Sequence, residues 1–222
     1  MITRICKFYF CILYFFEYVN SVQYQFDPRI HTLGNIGFGG AFHAAISPLC
    51  TKAIDILAYD KVDLRELIKN EYASKTGTLD LCSGTGISST DYGVSVDTSK
   101  YMIDVAKFLH SGKHRHHYVA NAEDIYAPRQ IVTCMFSFHE IPRDGRIKII
   151  KNSIKNARKR VVIVDIHEDY KPSTEMLMGE PYIKEYLANV KIDILGVSAL
   201  FGKKMKYYTV IPKHVQAWII EI

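Results

Sequence analysis

Paired cysteine chemistry is missing from this sequence. Its five cysteines, Cys6, Cys11, Cys50, Cys82 and Cys134, are odd in number and widely scattered, with no CxxC pair and no zinc spacing. That argues against a disulfide framework or a structural metal and predicts reduced core or pocket thiols. The apolar run Phe8 to Phe16 is too short to span a bilayer, which needs roughly 20 residues. Charge of one sign is also scarce. The net +5 comes largely from Lys148 to Arg160 and Lys203 to Lys206, which read as solvated helix and loop surface rather than a nucleic-acid groove. No internal repeat or low-complexity segment is visible, and no Ser-His-Asp or paired-carboxylate hydrolase pattern can be assembled.

At 222 residues with 48% apolar residues, the chain is long enough for one domain with a sizeable core. Three stretches differ in character. Residues 1–21 carry Arg4 and Lys7 ahead of the apolar run and end at the small Ser21, the layout of a signal or membrane-targeting segment. The other readings are a packed N-terminal strand or helix, or an upstream-extended start. A signal would imply secretory, organellar or membrane-associated localisation; otherwise the chain would be cytoplasmic. Residues 22–77 form an N-terminal loop and helical cap, and 78–222 form the core. Within the cap, residues 22–45 are rich in Gly, His and Phe without a period and predict an ordered loop or lid. Helices are expected at 48–59, with Leu49, Ala53, Ile54 and Leu57 on one face, and at 63–72, capped by Asp63.

From Thr78 onward strands and helices alternate. Strands are predicted at 78–82, 92–96, 118–120, 131–136 and 161–166, and helices at 99–110, 142–157 and 182–195. A C-terminal hairpin, 206–211 and 214–222, turns at Pro212-Lys213. This order implies a three-layer α/β sandwich around a mostly parallel sheet, with antiparallel pairing added at the end.

The most informative stretch is Thr78 to Met102, TLDLCSGTGISSTDYGVSVDTSKYM. Gly84 and Gly86 follow the first strand, and Asp97 closes the second. Glycines let backbone N–H groups approach a ligand, and a carboxylate can accept both hydroxyls of a ribose. A dinucleotide fingerprint would need a third glycine where Ser89 stands, which makes an oxidoreductase reading unfavourable. The Gly-Lys-Ser/Thr of a P-loop is absent, as is any Lys or Arg close by for a pyrophosphate. The expected ligand is a nucleoside without phosphates.

Five blocks in order carry a family resemblance: LDLCSGTG at 79–86, GVSVDTSKYM at 93–102, NAEDI at 121–125, IVTCMFSFHEIP at 131–142 and VVIVDI at 161–166. The chain resembles a class I S-adenosylmethionine-dependent methyltransferase of the small-molecule, type 11 kind. That resemblance implies a Rossmann-like methyltransferase fold with a seven-stranded sheet and S-adenosyl-L-methionine as cofactor. It implies in-line methyl transfer to a small-molecule, lipid-like acceptor. The alternative is a catalytically inactive binding module of the same fold. The implied cofactor contacts are Asp80 at the amino-acid end, Cys82, Gly84 and Gly86 under the methionine and ribose, Asp97 on the ribose hydroxyls, and Thr98 and Met102 flanking the adenosine. Asn121, Ala122 and Glu123 complete the adenine side, where Asn121 replaces the family's usual acid and can accept from the adenine amine through its side-chain oxygen.

Two departures stand out. Only Ser83 to Gly93 join the first two strands, so the first crossover helix must be shortened or missing. Arg129-Gln130 also replaces the Phe-Asp that often opens the fourth strand. After that strand, His139 and Glu140 lie at the carboxyl edge and are the catalytic candidates, either able to take a proton from the acceptor. Substrate contacts are expected from His31, His43, His167 and Tyr182. The block 136–142 lacks the Asp/Asn-Pro-Pro-aromatic signature of base-modifying methyltransferases, which disfavours nucleic-acid substrates. Membrane association would come through the N-terminus. No metal is expected: His110, His114, His116 and His117 sit in a polar, basic turn and read as solvated loop.

Overall fold

The computed structural model describes residues 36–73 and 77–222. The expectations on residues 1–21, on His31 and on the loop up to residue 35 lie outside the described residues.

A single seven-stranded sheet organises the chain. Its strands are β1 (Leu79–Leu81), β2 (Val94–Asp97), β3 (His116–Val119), β4 (Arg129–Met135), β5 (Ala157–Ile166), β6 (Lys204–Ile211) and β7 (Val215–Glu221), in the order β3-β2-β1-β4-β5-β7-β6. The first five pair in parallel, and β7 runs antiparallel to both β5 and β6. The order reverses between β1 and β4, and ligands of open α/β sheets bind at that reversal, outside the carboxyl ends of the strands. The Rossmann-like arrangement and terminal antiparallel pairing expected from the alternation are both present.

The two faces of the sheet are packed differently. On one, Leu79, Leu81, Val132, Cys134, Val161, Ile163 and Trp218 bury against α4 (Arg143–Asn156) and α6 (Ile183–Leu200), which contribute Ile150, Ile154, Tyr186, Val190 and Ile194. On the other, Val162, Val164, Ala217 and Ile219 bury against Leu64 and Ile68 of α2 (Leu64–Glu71). Asp63 caps α2 through the Glu66 N–H at 2.9 Å, as its position before an apolar repeat predicts. Ser99 caps α3 (Lys100–Leu109) in the same way through Met102.

Helix α1 (Gly37–Ala58) overturns one expectation. The segment from Gly37 to Ala45 is helical, not loop; of the residues expected on one face, Leu49, Ala53 and Leu57 are exposed, Leu57 to 84%, while the half-exposed Ile54 lines the cavity described below. The inward side carries buried Gly40 and Ala44, then the partly buried Ser47, Thr51 and Asp55. The cavity-lining side mixes Ile46, Cys50 and Ile54 with His43, Ser47 and Thr51, so no clean apolar stripe marks it. Leu67 and Leu109 are each 41% exposed, and Ile103 fills the interior position on α3.

The first crossover contains no α-helix. A polar row takes its place. Asp80 lies opposite Ser95 on β2 and Thr133 on β4, so the three share one face of the sheet. Asp80 Oδ2 accepts from Ser88 Oγ at 2.8 Å and Ser89 Oγ at 3.2 Å, and Oδ1 accepts from Thr133 Oγ1 at 2.8 Å. Ser95 extends the network through its 2.6 Å bond to Ser89, and a separate 2.6 Å bond between Thr90 and Thr78 ties the end of the loop to the start of β1. Eleven residues cannot hold a long crossover helix, but their hydroxyls satisfy a buried carboxylate and pin the loop directly to the sheet.

Candidate active site

A cavity of about 840 Å³ opens at the carboxyl edge of β1, β2, β4 and β5. Its nucleoside side is built by the ends of β1 and β2. Cys82 (φ +53°) and Gly84 (φ +52°) take left-handed backbone conformations that turn the chain over the cavity. For Gly84 this costs little, because it has no Cβ. Asp97 accepts from the Gly84 N–H through Oδ2 and from the Ser99 N–H through Oδ1, both at 2.8 Å. One backbone bond on each oxygen orients the carboxylate and leaves further lone pairs on both oxygens. Burial lifts its pKa to about 6 against these bonds, with Glu140 and Asp80 adding repulsion.

Thr98, Met102, Asn121, Ala122 and Glu123 line the cavity, together with Cys82, Gly84 and Asp97. Asn121 uses its side-chain oxygen to accept from the Glu123 N–H at 2.9 Å, so it also shapes its own turn. Two asparagines of α4 hold that turn from beneath. Asn152 Nδ2 donates to Ala122 O and Ile125 O, each at 2.9 Å, and Asn156 bonds Ile125 O and Ala127 N. Glu123 pairs with Lys148 at 3.2 Å.

Two expected cofactor contacts are displaced. Asp80 is buried beneath the crossover and does not line the cavity. Its oxygens serve Ser88, Ser89 and Thr133, and burial raises its pKa despite those bonds. Gly86 (φ +73°) also lies outside the lining. A Cβ there would meet His117 Cε1 at 2.7 Å, so this glycine permits close packing beneath the loop.

Beyond the nucleoside side, β4 is followed by Phe136, held at φ +56°. Left-handed backbone at an aromatic residue is a strained position of the kind that marks functional sites. The Arg65 guanidinium lies 4.5 Å over the Phe136 ring, joining α2 to the site. A short 3₁₀ turn, Phe138–Glu140, then presents His139 and Glu140 to the cavity. Asp165, at the end of β5, clamps this turn. Its Oδ2 accepts from Phe138 N at 2.6 Å and its Oδ1 contacts His139 Nδ1 at 2.6 Å. Burial alone would lower the His139 pKa, but Asp165, with Glu140 and Glu180, outweighs it and holds the value near 9.

His43 and Tyr182 line the cavity, whereas His167 does not. Its Nδ1 accepts from Asp169 N at 3.0 Å and its ring faces Thr209 on β6. The residue after β5 has turned back along the sheet, away from the edge. The histidine-rich turn is also only partly solvated. His117 is buried, stacks on His110 at 5.5 Å, and offers two ring nitrogens without hydrogen-bond partners. Burial drives the pKa of both rings down to about 4. Arg65, Ser47, Thr51, Asn152 and Glu180 are contributors that the sequence reading missed. A helix face without a clean apolar stripe and contacts far apart in the chain leave no local pattern.

No family model and no curated protein matches the sequence. Solved structures do. An S-adenosylmethionine-dependent methyltransferase from Aquifex aeolicus superposes with a TM-score of 0.57 at 15% identity, covering 79% of this chain and 98% of that one. The plantazolicin methyltransferase BamL, solved with a substrate analogue and S-adenosylhomocysteine, gives 0.55 at 14% identity over 82% and 94%. The magnesium protoporphyrin IX methyltransferase ChlM of Synechocystis PCC 6803, with bound S-adenosylhomocysteine, gives 0.51 at 12% identity over 85% and 89%. The strand order and these superpositions together assign the chain the fold of the class I S-adenosylmethionine-dependent methyltransferases.

Proposed function

We propose that this chain is an S-adenosylmethionine-dependent methyltransferase acting on a small molecule. The observation that carries this reading is Asp97. It is a carboxylate fixed by two backbone N–H groups at the end of β2, facing a cavity that glycine and left-handed backbone keep open. The residues present fit the cofactor. Asp97 would take the ribose hydroxyls, the backbone around Gly84 would pass close to the sugar and methionine, and Met102 and Ala122 would offer apolar contact to the adenine. When bound, the cofactor supplies an electrophilic methyl group on a sulfonium sulfur.

The chain's own contribution is alignment and exclusion of water, which together can lower the barrier by several kcal/mol. The acceptor would enter beside His139, Glu140 and Tyr182, beneath α1. Asp165 fixes the His139 ring and, with Glu140 and Glu180, lifts its pKa to about 9, so with no cation beside it the imidazole carries a proton at neutral pH. His139 and Glu140 would together orient the acceptor against the methyl group. A lipid-like acceptor is consistent with the exposed apolar side of α1, which leads toward the cavity mouth. Membrane association would follow from the same surface.

The test is transfer of labelled methyl from S-adenosylmethionine by the full chain to a metabolite or lipid fraction. The wild type is expected to label an extractable small molecule, and Asp97→Ala to lose at least tenfold of that rate while remaining folded. Label confined to nucleic acid, or no label with cofactor bound, would contradict it. The second outcome is the one expected of an inactive binding module.

A further inference from the structure

Three side chains at the acceptor end of the cavity converge as metal ligands do. His139, Glu140 and Glu180 place one donor atom each within 4.8 Å of one another. They come from separate places: the turn after β4 supplies the first two, and the end of the short helix α5 (Thr174–Gly179) supplies Glu180. All three line the cavity that the proposed cofactor shares.

The orientation of His139 is the second observation. Its Nδ1 faces Asp165 Oδ1 at 2.6 Å, so the imidazole ring is fixed with Nε2 pointing the other way. A carboxylate behind a histidine is the arrangement that fixes ring tautomer and strengthens a metal-ligating nitrogen. Nε2 in turn lies 3.6 Å from Glu140 Oε1, longer than a hydrogen bond. Two ligands each about 2.1 Å from one ion, at a tetrahedral angle, would sit about 3.4 Å apart. Burial adds to the case. His139 and Glu180 are each 8% exposed, and within this group of four, three carboxylates surround one imidazole. Such an excess of carboxylate in a sheltered pocket favours a cation.

From this geometry we infer that His139, Glu140 and Glu180 bind one divalent cation, and that the acceptor is a hydroxyl compound whose oxygen completes its coordination. One imidazole nitrogen and two carboxylates suit Mn²⁺ or Zn²⁺ and disfavour soft ions such as Cu(I). Three protein ligands leave at least one position open, as in metal sites that act on a bound oxygen. The inference rests on the methyltransferase reading for its chemistry. Coordination lowers the pKa of the hydroxyl, which loses its proton to water. The oxygen then forms a bond to the methyl carbon as the carbon–sulfur bond breaks, and the sulfur keeps that electron pair as a neutral thioether.

The test uses the full chain, stripped with chelator and titrated with Mn²⁺, free Mn²⁺ being followed by electron paramagnetic resonance. One ion per wild-type chain is expected. Glu180→Gln and Glu140→Gln should each weaken binding at least tenfold, with metal-free melting temperatures showing that both variants fold. The half-exposed Glu140 keeps the test decisive if Glu180→Gln proves unstable. Absence of stoichiometric Mn²⁺, and of Zn²⁺ in a parallel elemental analysis, would overturn the inference. So would undiminished binding by the folded variants. S-adenosylhomocysteine is titrated into the same stripped protein. Its binding without cation separates failure of the metal site from failure of the cofactor reading.

Discussion

Asp97 sits between opposing effects. Two backbone N–H groups favour its charged form, while burial and the nearby Glu140 and Asp80 carboxylates disfavour it and hold the pKa near 6. A ribose diol donates to the ionised form. S-adenosylhomocysteine affinity should therefore be constant above about pH 7 and fall as pH drops below 6, approaching tenfold per unit, in calorimetric titrations from pH 5 to 8. A flat profile would show that Asp97 does not hold the ribose. His117 and His110 act on stability instead. Both are neutral in the fold with pKa near 4, below the ordinary histidine value of 6.5. The stability this confers is present above pH 6.5 and is lost as pH falls toward 4, because the unfolded chain takes up the protons first. His117→Phe should reduce the loss of melting temperature between pH 7 and pH 5 relative to wild type. Legibility differed between these residues. Asp97 could be read because its role depends on a local pattern, strand, acid and helix. The burial of His117 could not, because it depends on Gly86 and His110, which approach it from elsewhere in the chain.

Among the elements, the crossover from Cys82 to Val94 departs most from what its flanks suggest. Its shortness is plain in the sequence, and the lack of an α-helix follows from it. The substitute was not legible, since Ser88, Ser89, Ser95 and Thr133 read as ordinary polar residues until the fold gathers them around Asp80. The same packing gives Asp80 a structural role. Asp80→Ala should strip the partner from three buried hydroxyls and destabilise the chain by about 2 kcal/mol. Hydrogen exchange of amides 83–93 should rise well above that of β4 and β5. If Asp80→Ala leaves exchange in the loop unchanged but abolishes cofactor binding, Asp80 would have the direct role its sequence position suggests. Helix α1 carries the opposite lesson. Periodicity identified part of it but not its N-terminal half, because a helix roofing a cavity with mixed apolar and polar side chains carries no clean stripe.

For the whole molecule, alternation of strands and helices was sufficient to specify the architecture, and the run Val161 to Ile166 marked the buried centre of the sheet correctly. The strand order was not contained in any local pattern, since it depends on crossovers that skip neighbours. That order creates the reversal between β1 and β4 where the cavity opens, and so joins Asp97, the 121–123 turn and the His139 group into one site. Edge strand β6 presents Lys204 and Lys206, charges that discourage pairing with further strands. The account as a whole depends on that single cavity binding an adenosyl ligand. Its most direct test is calorimetric titration of S-adenosylhomocysteine into the full chain at neutral pH, alongside Asp97→Ala. One site per chain in the wild type, weakened at least tenfold in the folded variant, is the predicted result; no heat of binding from a folded wild-type chain would contradict it.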